Sequence, residues 1–118
     1  MIGLGVLEGE VMNILWRAGS PMKVREVLVE CTRHDRLLAY TTIMTVLDNL
    51  YRKVWVDRTL DRGAYRYEPT LSREAAASRA LRQVLNESGD AEAALLHFVR
   101  SASDHESTMI EDALRHRH

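Results

Sequence analysis

The spacing of apolar residues changes once along this chain, and that change limits what the chain can fold into. From Leu7, apolar residues recur at Val11, Ile14, Leu15 and Ala18, the stripe of an amphipathic helix that stops at Gly19. Ser20-Pro21 interrupts helical geometry, because proline drives the residue before it into extended backbone. Val24, Val27, Leu28 and Cys31 then repeat the stripe in a second helix. A third helix, from about Thr41 to Lys53, has Ile43, Val46, Leu47 and Leu50 as its inward seam. From Trp55 the period shortens. The run VWVDRTLDRGAYRYEP starts extended, turns at Asp61-Arg62-Gly63, sets Tyr65 and Tyr67 on one face and closes at Pro69.

Three short helices followed by a two-stranded hairpin, within the first 70 residues, is the order of a winged helix-turn-helix, with the second and third helices as the helix-turn-helix pair. Beyond Pro69 the chain turns alanine-rich and helical. Its stripes are Ala77, Ala80, Leu81, Val84 and Leu85; then Ala91, Leu95, Phe98 and Val99; then Ile110, Ala113 and Leu114. Ser103 with Glu106 three residues later has the form of a capping box opening the last helix. Three short helices with so little aromatic bulk make a thin core alone, so their apolar faces are expected to pack on a second copy. The expected fold is mainly α with a small β-hairpin wing: a winged-helix DNA-binding domain over 1–70 and a three-helix dimerisation region over 71–118. The candidate dimer interface is Leu81, Val84, Leu85, Leu95, Phe98, Val99, Ile110 and Leu114.

Length and composition, 118 residues with 46% hydrophobic and 28% charged, suit one domain or a small domain with an appendage. A net charge of -1 carries no global signature of a nucleic-acid partner, so any such partner must be argued from local pattern. The single cysteine, Cys31, excludes an internal disulfide and a cysteine-based zinc site, and its place on the second stripe reads as a buried small hydrophobe. The start MIGLGVLEGEVM lacks the form of a leader, and no segment approaches the ~20 apolar residues of a membrane span. A cytoplasmic protein without membrane insertion is expected. His97, His105, His116 and His118 read as solvated residues rather than metal ligands. No phosphate loop, paired nucleophile or metal pattern marks an enzyme, and no cofactor is expected.

The third helix carries the chemistry. With its seam inward, 100° steps send Thr41, Thr45, Asp48 and Arg52 along the opposite face, flanked by Thr42 and Asn49 on one side and Met44 on the other. Short hydroxyl side chains let a helix approach closely, bond to phosphates and touch thymine methyls in the major groove, and Asn49 has the groups to read adenine. Free N–H groups beside Thr41 and Thr42 suit a phosphate. From Thr32 to Tyr67, seven cations (Arg33, Arg36, Arg52, Lys53, Arg58, Arg62 and Arg66) stand against four carboxylates, a local balance of +3. The candidate DNA-contacting set is Thr41, Thr42, Thr45, Asp48, Asn49, Arg52, Lys53 and Arg62. The alternative is a winged-helix protein-interaction module without specific DNA binding.

The segments LEGEVMNILW (7–16), SPMKVREV (20–27), LAYTTIMTVLDNL (38–50) and AYRYEP (64–69) together resemble the penicillinase-repressor family, bacterial transcriptional repressors of the BlaI/MecI type, with a looser match through ALLHFV (94–99). The resemblance implies a homodimer on a palindromic double-stranded DNA operator, with the third helix in the major groove and Thr41, Thr42 and Thr45 at matching contact positions. It also implies control of a β-lactamase or related antibiotic-response operon, and release by a membrane metalloprotease sensor encoded nearby. The cleavage point would fall at His97-Phe98, without the family's usual asparagine. Other departures are Asn49 in place of arginine, Val54 in place of glycine and Arg62-Gly63 in place of Gly-Arg. In addition, Lys23 stands where a capping threonine is common, so a less firm start is expected for the second helix.

Overall fold

The computed structural model describes residues 3–117. Helix α1 (Val6–Ala18) opens with the Gly5 N–H donating to Glu8 Oε1 at 2.8 Å and ends at Gly19, whose φ of 69° takes the chain out of the helix. After the short strand β1 (Met22–Lys23), helix α2 (Val24–Arg33) begins without a side-chain cap from Lys23. Instead Glu26 accepts the Lys23 N–H at 2.8 Å, and β1 pairing holds the same residue. The far end of α2 turns through Asp35 at φ 61°, with Asp35 N–H on Thr32 O and Arg36 N–H on Cys31 O. Helix α3 (Tyr40–Arg52) follows, then β2 (Val56–Asp61) and β3 (Ala64–Pro69).

The sheet is antiparallel in the order β1-β3-β2. Asp61 pairs with Ala64, so the wing turns on two residues, Arg62 and Gly63, at φ 53° and 82°. Positive φ at both central positions is the type I′ pattern that matches the twist of paired strands. The sequence predicted only two strands. The third, with Met22 opposite Tyr67 and Lys23 opposite Arg66, is too short to show a period of its own.

The core lies among α1, α2, α3 and the sheet, and is built from Val11, Met12 and Leu15, Val27 and Cys31, Ile43, Leu47 and Leu50, with Val56 and Tyr67 from the strands. All four predicted seam residues of α3 are buried. Trp16 and Trp55 are half-buried at its edge. Trp16 spends its indole N–H on Leu71 O at 2.9 Å, and an indole with a polar tip is well served by such an edge.

The chain divides into two compact units, Met1–Ser78 and Arg79–His118. The division falls within α4 (Arg73–Glu87), whose first turn belongs to the winged-helix unit: Arg73 Nη1 donates to Asn13 Oδ1 at 2.8 Å and Ala76 is buried. The second unit continues through Gly89, at φ 84°, into α5 (Ala91–Arg100) and α6 (Asp104–Arg115). Asp90 caps α5 by accepting the Ala93 N–H, and Ser103 and Glu106 form the predicted reciprocal box at α6. That box holds the Glu106 carboxyl below the usual glutamate range.

Candidate nucleic-acid interface

Burial of Ile43, Val46, Leu47 and Leu50 orients α3, and the residues a half-turn away are left outside. Thr41 and Thr45 are exposed, while Thr42, Asp48 and Asn49 are half-buried along the same helix. Ala39 supplies no side-chain cap, and no acidic residue stands in the first turn. The helix itself therefore sets no carboxylate against its N-terminal N–H groups. Met44, on the flank, is exposed as well.

The charges around this face are not equivalent. Arg52 Nη2 donates to Asp48 Oδ2 at 2.6 Å, and Arg58 Nη1, reaching over from β2, donates to Asp48 Oδ1 at 3.4 Å. The Arg58 guanidinium lies between two rings, 3.9 Å from the centroid of Tyr51 and 4.2 Å from that of Tyr65. Tyr65 in turn meets the buried Tyr67 edge-on at 6.3 Å, so the two tyrosines share a face as predicted. This aromatic clamp joins the end of α3 to the wing. Sequence reasoning counted Arg58 only as local charge and did not pair it with Tyr51 or Tyr65. A tyrosine one residue before the helix end and another in one hairpin strand, with an arginine in the paired strand, was the available signal.

Lys53 sits at the C-terminal end of α3, where its ammonium donates to Glu8 Oε1 at 2.8 Å and to Gly3 O at 3.4 Å. It is thus turned to the start of α1 rather than aligned with Thr41 and Thr45. Burial alone would raise the Glu8 carboxyl, but the Gly5 N–H and the Lys53 ammonium outweigh it and hold the group below its ordinary value. At the wing, Arg66 bridges Asp61 at 2.8 Å and Glu26 at 3.6 Å. The hydrogen bond from Arg66 lowers the Asp61 carboxyl despite partial desolvation. Arg62, at the tip, is nearly fully exposed, with Asp61 4.0 Å away.

A helix-turn-helix with a short polar face, joined to a three-stranded antiparallel sheet, is an arrangement shared with known proteins. Residues 4–116 match the model of the penicillinase repressor family. This chain belongs to the penicillinase repressor family. It is a transcriptional repressor of the BlaI type with a winged-helix fold, and regulators of this kind are not enzymes. The transcriptional regulator BlaI of Mycobacterium tuberculosis, in strains CDC 1551 / Oshkosh and ATCC 25618 / H37Rv, is 39% identical over 114 residues, covering 94% of this chain and 82% of that protein. Among solved structures, Streptococcus pneumoniae FabT in complex with DNA superposes with a TM-score of 0.51 at 17% identity, over 96% of this repressor and 72% of that chain. That likeness concerns the fold.

Within the repressor's second unit, α5 and α6 have no buried residue. Leu81 is 62% exposed, Phe98 56% and Leu114 58%; Val84, Leu95 and Val99 are also exposed, while Leu85 and Ile110 are half-buried. Leu96 and Met109 extend the apolar surface beyond the predicted stripes. His97 and Phe98 lie in the last turns of α5, with their carbonyls accepting the Ser101 N–H. Cys31 is buried in the first unit, and burial pushes its thiol pKa up. Among the described residues no group of three or more His, Cys, Asp or Glu could hold a metal ion, and His118 lies outside them. Nor, among the described residues, is any helix long and apolar enough to cross a membrane.

Proposed function

We propose that this repressor binds an operator as a homodimer, each protomer placing α3 in a major groove and the wing against the adjacent backbone. The observation that carries the reading is the division of α3: its apolar residues are spent on the core, while Thr41 and Thr45 are left on an exposed, short-armed face. Thr41, Thr42, Thr45, Asp48, Asn49 and Arg52 form the proposed contact surface, with Arg62 from the wing tip. Lys53 serves chiefly to tie α3 to α1. Residues 1–70 make the DNA-binding part and 71–118 the dimerisation part, through Leu81, Val84, Leu85, Leu95, Phe98, Val99, Ile110 and Leu114. Two-fold symmetry then calls for a palindromic operator with half-sites one or two helical turns apart.

The proposed target is an antibiotic-response or related stress operon, in keeping with the family. Release by a membrane metalloprotease sensor would act at His97-Phe98, and there it requires unwinding of α5, since proteases bind extended chain. The test begins with selection from a pool of random duplexes of about 30 base pairs, long enough for two half-sites. The full chain should enrich a two-fold symmetric sequence, and its affinity should fall with added salt at a log–log slope near -0.9 per phosphate contacted. Thr41→Ala with Thr45→Ala should weaken that binding by about tenfold or more, the size of lost base contacts. Enrichment of no sequence, with no salt-sensitive binding, would leave the protein-interaction reading in its place.

A further inference from the structure

The two arginines on Asp48 are held in different ways. Arg58 is sandwiched between Tyr51 and Tyr65, and its side chain is only 25% exposed; Arg52 is 72% exposed and carries a single 2.6 Å contact to Asp48. Arg58 is therefore a fixed part of the wing junction, and Arg52 is free to leave. We propose that Asp48 is a specificity-determining residue. Anchored by Arg58, it holds Arg52 along the α3 face and releases it to DNA only where a base edge offers the carboxylate a hydrogen-bond donor. The proposal rests on the DNA-binding reading above and assigns a role to a residue whose charge otherwise opposes that reading.

The chemistry is one-sided. An ionised carboxylate only accepts hydrogen bonds. In the major groove the donors are the amino groups of cytosine N4 and adenine N6; guanine N7 and O6, adenine N7 and thymine O4 are acceptors and repel it. At a sequence that presents an amino group, the base compensates Asp48 and Arg52 can swing to a phosphate. At a sequence that presents acceptors, withdrawing Arg52 leaves Asp48 with Arg58 alone at 3.4 Å, facing a polyanion. The carboxylate thus lowers affinity for unmatched DNA more than for matched DNA, which is how a repulsive element produces specificity.

The test compares the full-length wild type with Asp48→Asn, Asp48→Glu and the double variant Asp48→Asn/Arg52→Ala. The probes are the duplex enriched by the wild type from the random pool and a shuffled duplex of equal length and composition. Asp48→Asn should bind the shuffled duplex about tenfold more tightly, with a steeper salt slope as Arg52 reaches phosphate, and a selection repeated with it should lose one base preference per half-site. Asp48→Glu, which keeps the charge, should retain weak binding to the shuffled duplex. In the double variant, which has no Arg52 to reach phosphate, the salt slope should return to about the wild-type value. An unchanged ratio of enriched to shuffled affinity in Asp48→Asn overturns the inference and leaves DNA binding intact. So does a steeper salt slope that persists without Arg52, or a glutamate variant that behaves like asparagine. If the wild type binds neither duplex, the DNA-binding reading and this inference fall together.

Discussion

Val54 is a β-branched residue held at φ 65°, a backbone region that suits glycine and strains any residue with a branched Cβ. The cause is the way α3 stops. Trp55 N–H donates to Leu50 O at 2.9 Å and Val54 N–H to Tyr51 O at 3.0 Å, the paired bonds of a Schellman ending that needs a left-handed residue at position 54. Thr70 locks the loop from the other side, its hydroxyl donating to Val54 O at 2.9 Å and its N–H to Trp55 O at 3.1 Å. The valine side chain is 68% exposed, so little packing offsets the strain.

Val54→Gly should therefore stabilise the protein. Removing the left-handed penalty gains about 1–2 kcal/mol, and the extra freedom of glycine in the unfolded chain returns roughly 0.5–1 kcal/mol. The net gain is about 0.5–1 kcal/mol, worth roughly 2–8 °C in Tm for a domain of this size. Thermal unfolding followed by far-ultraviolet circular dichroism, at one fixed protein concentration because association shifts Tm, reads the effect. Glycine should exceed asparagine, and asparagine should exceed alanine, since alanine keeps the Cβ and loses only the branch. A Val54→Gly Tm at or below wild type, or an alanine variant as stable as the glycine one, would refute backbone strain as the reason.

Other perturbations follow from single contacts. Glu8→Gln should cost about 1–2 kcal/mol at neutral pH by weakening the links to Gly5 and Lys53. Because the folded-state pKa of Glu8 is depressed, its contribution is present above the ordinary glutamate value of 4.5 and fades as pH falls through the lower folded value, so wild type and variant should converge in acid-unfolding curves. Phe98→Asp, placed on the apolar surface of α5, should convert the proposed dimer to monomer by light scattering and weaken binding to the proposed operator by more than tenfold through lost avidity. Ser103→Ala should lower the stability of the helical tail by about 1 kcal/mol in denaturant titration, since Ser103 accepts the Glu106 N–H that caps α6.

What could be read from the sequence depended on sequence distance. The seam of α3, the wing turn at Arg62-Gly63 and the Ser103–Glu106 box are set by residues within a few positions of one another, where helical and strand periods speak directly. The α3 face followed from the same periodicity, because knowing which residues are buried fixes which are not. Strand β1 was lost because it is two residues long and exists only through pairing with Tyr67 and Arg66. Lys53 looked like a free cation because Glu8, its partner, is 45 positions away. Arg58 looked like solvated charge because its clamp needs α3 and both long strands in place at once.

The same limit explains why Asp48 reads differently in the folded protein. In sequence it is a negative charge on a surface meant for a polyanion, compensated at best by Arg52 four residues on. In the structure a second cation stands on its other oxygen, held by two aromatic rings rather than by the carboxylate itself. A single helical i,i+4 pair contributes only about 0.3–0.5 kcal/mol and would give way to phosphate wherever DNA came near. Fixing one partner changes that outcome in the proposed complex: Asp48 would keep its place when Arg52 departs, so its charge would stay in the groove and its preference for amino groups would be felt there. In the proposed complex the wing would therefore do more than contact backbone, because through Tyr65 and Arg58 it fixes the position of a group on the α3 face proposed to meet the bases.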